Sequence, residues 1–145
     1  MRVSKSEYFL QMAELVATRG TCARKTVGCV FSNNRGHVIA TGYNGPAAGQ
    51  RHCIDSPCLG AGFPSGLGLS KCEAIHAEQN ALLQCKNVYE IDTAYITHSP
   101  CITCVKLLMN TGCKHIVFRK EYPHSESKEL WLQSADGRSW THQLV

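Results

Sequence analysis

The sequence predicts an α/β fold with a mixed central sheet, on three observations. Helix and strand patterns alternate over residues 73–119, which implies parallel strands joined by helical crossovers. A hairpin pattern over residues 26–43 precedes them, so antiparallel strands must share the sheet. An amphipathic helix opens the chain and can cover one sheet face. At 145 residues the chain is one domain by length, expected to span 1–145, and can bury roughly 70% of its unfolded surface.

The elements follow in order. Ser4 and Glu7 have capping-box spacing, and Tyr8, Phe9, Met12, Leu15 and Val16 recur at helical spacing until Gly20 offers a stop. Residues 26–31 and 37–43 are β-branched and aromatic, and they flank the turn cluster Ser32-Asn33-Asn34-Arg35-Gly36. Residues 45–70 form a long Gly- and Pro-rich stretch, which in a compact domain points to a functional or metal-tied loop. Residues 73–85 read as a second helix with Ile75, Leu82 and Leu83 inward, and residues 92–98 as a buried strand. Ser99 is a candidate N-cap and Pro100 a first-turn residue of a third helix ending at Gly112. Residues 114–119 form another strand, 125–134 a further helix, and 140–145 an edge strand or loose tail.

Composition narrows the function. The net charge of +4 and pI near 8.6 suit a small anionic substrate but are too weak to argue for nucleic acid. Residues 1–7 lack the apolar core of a signal peptide, and no stretch reaches the length of a membrane span, so a cytoplasmic protein without a membrane partner is expected. Nine cysteines, an odd number with no export signal, then read as reduced thiols and metal ligands rather than a disulfide framework.

Two stretches carry chemistry. Cys101 and Cys104 follow Pro100 at a spacing that puts both sulfurs on one helix face, and a helix N-terminus biases both toward the thiolate that binds zinc. His76 supplies a third ligand, and three protein ligands with one open position mark catalytic zinc. Glu78 is left as a base. Residues two apart on a regular helix point to nearly opposite sides, so His76 and Glu78 converge only if the helix begins at about His76. Cys22, Cys53, Cys58 and Cys72 are a second set that would close a structural zinc site, with His52 able to replace one of them; the alternative is buried free thiols. Cys29, Cys85 and Cys113 lie in apolar segments and read as core.

The pair Ile75-His76-Ala77-Glu78-Gln79-Asn80 and Ser99-Pro100-Cys101-Ile102-Thr103-Cys104 resembles the His-x-Glu and Pro-Cys-x-x-Cys signature of the zinc-dependent cytidine and deoxycytidylate deaminase family. Thr41-Gly42-Tyr43-Asn44-Gly45-Pro46 resembles its deoxycytidylate (dCMP) branch, with similarity to short phage members at Cys22 and Cys53, and the likeness runs over residues 4–122. The resemblance implies a three-layer α/β/α cytidine-deaminase-like fold with a mixed sheet of about five strands. It implies catalytic zinc on His76, Cys101 and Cys104, and Glu78 as acid and base in hydrolysis of dCMP to dUMP and ammonia, a step that supplies dTMP precursor.

Substrate contacts implied by the resemblance are Asn44, Ala77 and Tyr122, the last stacking on the pyrimidine or else a half-buried rim aromatic. Arg24 and Lys25 are candidates for the phosphate, the plainer alternative being a solvated loop pair. Gly42, Tyr43, Asn44 and Gly45 resemble the branch's allosteric site, where dCTP with Mg2+ activates and dTTP inhibits; glycines there would let the backbone approach nucleotide. A homohexamer is implied too, in the host cytoplasm for a phage protein. The rivals are a deaminase of cytidine, deoxycytidine or a tRNA base, and a zinc-stabilised binding module without catalysis, against which Glu78 argues.

Overall fold

The computed structural model describes residues 2–22, 25–49, 74–123, 125–133 and 137–144. Arg24, His52, Cys53, Cys58 and Cys72 lie outside them, as does most of the long loop. Helix α1 spans Lys5–Ala17, followed by β1 at Gly28–Ser32, β2 at Val38–Tyr43 and α2 at Ala77–Gln84. A 3-10 turn at Val88–Glu90 leads to β3 at Thr93–His98, then α3 at Ile102–Met109, β4 at His115–Lys120, α4 at Ser125–Gln133 and β5 at Ser139–His142. The sheet has five strands in the order β2-β1-β3-β4-β5, antiparallel at β2/β1 and β1/β3 and parallel at β3/β4 and β4/β5. The mixed sheet of the expectation is present, and the tail resolves as its parallel edge strand.

Alternation along the strands makes three layers. Val30, Tyr95 and Val117 are cross-strand partners in one row, and they pack with Phe9, Leu10 and Ala13 of α1. The opposite rows, Cys29-Ile96-Phe118 and Phe31-Ala94-Ile116, form the larger core with α2, α3 and α4 through Ala77, Ala81, Val105, Leu108 and Trp131. Because β1 is antiparallel to both neighbours, β2, β3 and β4 all end on one side of the sheet, where crevices beyond strand termini form.

Several local expectations are corrected. Ser4 caps α1 by accepting the Glu7 N–H at 3.1 Å, but the Glu7 carboxylate does not return the bond; Arg119 holds it at 2.6 and 3.0 Å. The helix ends at Ala17 with Thr18 as cap, and Gly20 has no left-handed φ. The buried stripe of α1 is Phe9, Leu10, Ala13 and Ala17, while Tyr8 and Leu15 are exposed. In α2 the buried positions are Ala77, Glu78 and Ala81, and Leu83 is 78% exposed. Phe9, Met12 and Val16 of the expected α1 stripe and Leu82 of α2 do face the core; Tyr8, Leu15 and Leu83 do not, and alanines fill out both contact faces.

The hairpin turn is as expected: Gly36 takes φ +80°, and Asn33 Oδ1 accepts from the N–H groups of Arg35 and His37, each at 3.0 Å. Cys29 and Cys113 are buried, whereas Cys85 is half-buried at the α2 terminus. Arg119, unremarked in the sequence, is buried on the α1 face and pairs with both Glu7 and Glu14, tying β4 to the first helix.

Candidate active site

Two helix N-termini meet at the strand-end side of the sheet. His76 is the N-cap of α2 (φ −69°, ψ 154°), and Cys101 is the N-cap of α3 (φ −73°, ψ 171°). Each cap residue is extended, so its side chain points ahead of its helix rather than along a face. That resolves the geometric difficulty posed by His76 and Glu78: the histidine lies just outside the helix and Glu78 in its first turn. The helix begins at Ala77 because Ile75 is held in an antiparallel bridge to Gly45, with bonds of 2.6 and 3.1 Å. Gln79 returns its side-chain oxygen to the His76 N–H at 2.8 Å, fixing the cap.

Cys101 displaces Ser99 from the expected cap position, and α3 ends at Met109 rather than Gly112. Ser99 instead accepts the Tyr122 N–H at 2.7 Å and fastens the segment after β4. The ligand pair therefore occupies the cap and third positions of α3, among the unpaired amides of its first turn.

His76 Nδ1 lies 3.3 Å from Cys104 Sγ and 3.4 Å from Cys101 Sγ. Tetrahedral zinc with N and S bonds of about 2.0–2.3 Å places its donors roughly 3.5 Å apart. The three donors thus stand at a zinc-ligand spacing, and they form the sole His/Cys/Asp/Glu cluster of this kind among the described residues.

Charge in the site is uneven. Cys101 is driven well below the ordinary thiol range, first by the hydrogen bond from Cys104 and then by His76 and the Cys104 N–H. Cys104 is driven up by its bond to Cys101 and by burial, so the two share one proton. From the protein's own charges one thiolate of the pair is favoured; the expectation of two belongs to the zinc-bound site, where the cation offsets the second. The bond to Cys101 raises the His76 pKa against burial.

Glu78 is 4% exposed and interacts with the Cys104 side chain. Burial lifts its pKa to about 7, against the nearby His76 charge. A cation at the three donors draws that value down toward the carboxylate form.

The remaining expected residues are placed as follows. Ala77, 1% exposed, opens α2. Asn44 is buried and engaged: its Oδ1 accepts from Val27 N–H at 2.8 Å, and its Nδ2 donates to the Lys25 carbonyl at 2.9 Å, clasping the approach to β1. Lys25 Nζ lies 3.9 Å over the Tyr122 ring. Cys22 is buried and close enough to His76 to act on its charge; its proposed companions lie outside the described residues.

The expectation for Gly42 is corrected. A Cβ there would sit 2.3 Å from Ala81 N and 2.4 Å from Ala77 O, so the space freed by glycine is filled by helix α2, not by nucleotide. Tyr43 is the exposed side chain of that segment, and its carbonyl accepts from Asn80 Nδ2 at 2.8 Å.

Sequence reasoning missed His98. Its Nδ1 lies 2.9 Å from Thr97 Oγ1, and its ring centroid is 5.8 Å from that of Tyr122. The available signal was its position at the strand end just before Ser99-Pro100-Cys101. Burial, then Lys25 and Lys120, hold its pKa down to about 4. Between pH 6.5 and 4 the unfolded chain takes up this proton and the folded chain does not, so stability must fall as pH drops through that window. Allowing for partial solvent screening, urea melts at pH 7 and 4.5 are expected to differ by about 1–2 kcal/mol more in the parent than in His98→Gln.

Comparison with known proteins agrees with this geometry. The family described as cytidine and deoxycytidylate deaminase zinc-binding region matches residues 3–120. The deoxycytidylate deaminase of Mycobacterium phage D29 is 40% identical over 79% of this chain and 94% of its own length. That of Saccharomyces cerevisiae is 34% identical over 93% of this chain, which spans only 44% of the yeast protein. The crystal structure of the dCMP deaminase of cyanophage S-TIM5, in complex with dCMP and dUMP, superposes with a TM-score of 0.75 at 28% identity, covering 100% of this chain and 99% of that one. The three-layer fold, the paired helix N-termini and these likenesses concur: the chain belongs to the cytidine and deoxycytidylate deaminase family and is a zinc-binding hydrolytic deaminase.

Proposed function

We propose that the chain hydrolyses dCMP to dUMP and ammonia as a single domain, with His76, Cys101 and Cys104 holding zinc and Glu78 moving the protons. The observation that carries this proposal is the buried Glu78 carboxylate beside three donors at zinc spacing. The substrate choice is supported by the dCMP-named relatives and by the cyanophage enzyme's complex with dCMP and dUMP.

Zinc, when bound, supplies a Lewis acid that makes water a nucleophile near neutral pH. Glu78 takes the proton that water releases and delivers it to pyrimidine N3 as C4 is attacked. It then takes the proton of the new C4 hydroxyl and passes it to the exocyclic amine, so that the C4–N bond breaks, the carbonyl forms and ammonia departs. A buried carboxylate in the first turn of α2, beside the three donors, is placed to take up and return these protons. Ala77 and Tyr122 line the base, with Asn44 positioning the wall through its clasp on Lys25.

Regulation belongs to the same proposal: dCTP with Mg2+ as activator and dTTP as inhibitor, at the segment Gly42 to Gly45 of a homohexamer, with Tyr43 as the exposed contact. A second, structural zinc on Cys22, Cys53, Cys58 and Cys72 is likewise proposed, with a location in the cytoplasm. Among the described residues no helix is long and apolar enough to cross a membrane.

The test is ammonia release from dCMP, deoxycytidine and cytidine by zinc-loaded protein. Preference for dCMP supports the assignment; turnover of nucleosides alone would overturn the substrate, and no turnover of any would overturn the activity. Chelation of zinc is expected to abolish release and to lower Tm by several degrees, as seen by calorimetry, because the ion ties the starts of α2 and α3 together.

A further inference from the structure

Strands β3 and β4 place His98 and Lys120 side by side as register partners at the end of the sheet where the site lies. By alternation they share the face of Ile96 and Phe118, the face that α2 and α3 cover. Lys25 reaches the same place from the loop before β1, its Nζ 3.9 Å over the Tyr122 ring, which in turn lies against His98. Among the described residues, Lys25 and Lys120 both act on His98 as positive charges. An anion seated between these positive side chains is attracted by both.

The Thr97 hydroxyl holds the Nδ1 edge of the His98 ring. The Gly28 N–H donates to Thr97 Oγ1 at 3.2 Å, and Thr97 Oγ1 lies 2.9 Å from His98 Nδ1. While accepting from Gly28, the threonine hydroxyl can still donate its hydrogen to Nδ1; in that tautomer the ring proton sits on Nε2 as a neutral donor. Three residues of chain separate His98 from Cys101, at most about 10 Å. A nucleotide whose base lies at the zinc ligands can therefore extend its other end to His98.

We propose that His98, together with Lys120 and Lys25, forms the subsite for the 5′-phosphate of a nucleoside monophosphate, with His98 Nε2 donating to a phosphate oxygen and selecting nucleotide over nucleoside. The proposal rests on the dCMP assignment above and adds the residues that read the phosphate. Tyr122 is then a divider between Lys25 and His98 rather than only a wall for the base, and its N–H bond to Ser99 holds it there.

The test is calorimetric binding of dUMP and deoxyuridine to zinc-loaded parent, His98→Leu, His98→Gln and Lys120→Met; Lys120 is exposed, so its variant folds even where a change at His98 does not. His98→Leu is expected to weaken dUMP about 10- to 100-fold. Lys120→Met is expected to weaken it about 3- to 10-fold. Deoxyuridine should move less than about threefold in both, and His98→Gln, which keeps a donor, should retain most dUMP affinity. A parent that prefers dUMP, with the preference kept in both His98→Leu and Lys120→Met, would overturn the subsite and leave the dCMP assignment standing. Equal loss of both ligands in His98→Leu would also overturn it, as a purely structural effect. A parent that binds dUMP and deoxyuridine alike would overturn both.

Discussion

Glu78→Gln is expected to lower kcat for deamination by about 10²- to 10⁴-fold while the zinc content per chain stays at the parent value. The amide keeps the shape of the side chain in a site that is 4% exposed, but it cannot collect and return a proton. His76, Cys101 and Cys104 lie at ligand spacing without Glu78, so metal retention should not depend on it. Stability should not fall either, because the amide fills the same buried space without a charge to desolvate. Ammonia release, zinc analysis and a thermal melt on one preparation check all three. A variant that turns over at the parent rate would remove Glu78 from the chemistry, and one that loses zinc would make it a ligand.

Gly42→Ala is expected to be nearly as damaging, although the residue touches neither metal nor base. The new Cβ would meet three backbone atoms of α2 at 2.3, 2.4 and 2.9 Å, and a helix backbone does not rotate aside as a side chain can. Helix α2 must then lift from β2, carrying its N-cap His76 and Glu78 with it. Overpacking of this kind costs about 1–3 kcal/mol, and a displacement near 1 Å at a catalytic group lowers the rate about 100-fold. Urea melts and basal dCMP turnover, each with and without dCTP, separate the two roles of this segment. A glycine needed only for an effector would give normal basal turnover and a lost dCTP response. The packing at Gly42 instead predicts basal loss whether or not dCTP is present.

What could be read in advance followed the range of the interactions concerned. The β-branched strand segments, the Asn33–Gly36 turn and the Cys101/Cys104 spacing are local, so neighbouring residues alone specify them. Helix faces were less legible. In α1 and α2 the contact stripe runs through alanines, which carry little hydrophobic signal, while the conspicuous Leu15 and Leu83 face solvent.

The sequence by itself marked His76, Cys101 and Cys104 as candidate zinc donors with Glu78 beside them, and an α/β fold with a mixed sheet, because each is written in residue type and short spacing. Only the tertiary structure decided how they are used. It made His76 and Cys101 caps of two facing helices, removed the clash of phase between His76 and Glu78, gave the space at Gly42 to α2, and brought Lys25, His98 and Lys120 around Tyr122. Those placements depend on strand register and helix approach between segments up to about a hundred residues apart. Spacing along a chain does not encode such distances; packing against the sheet does.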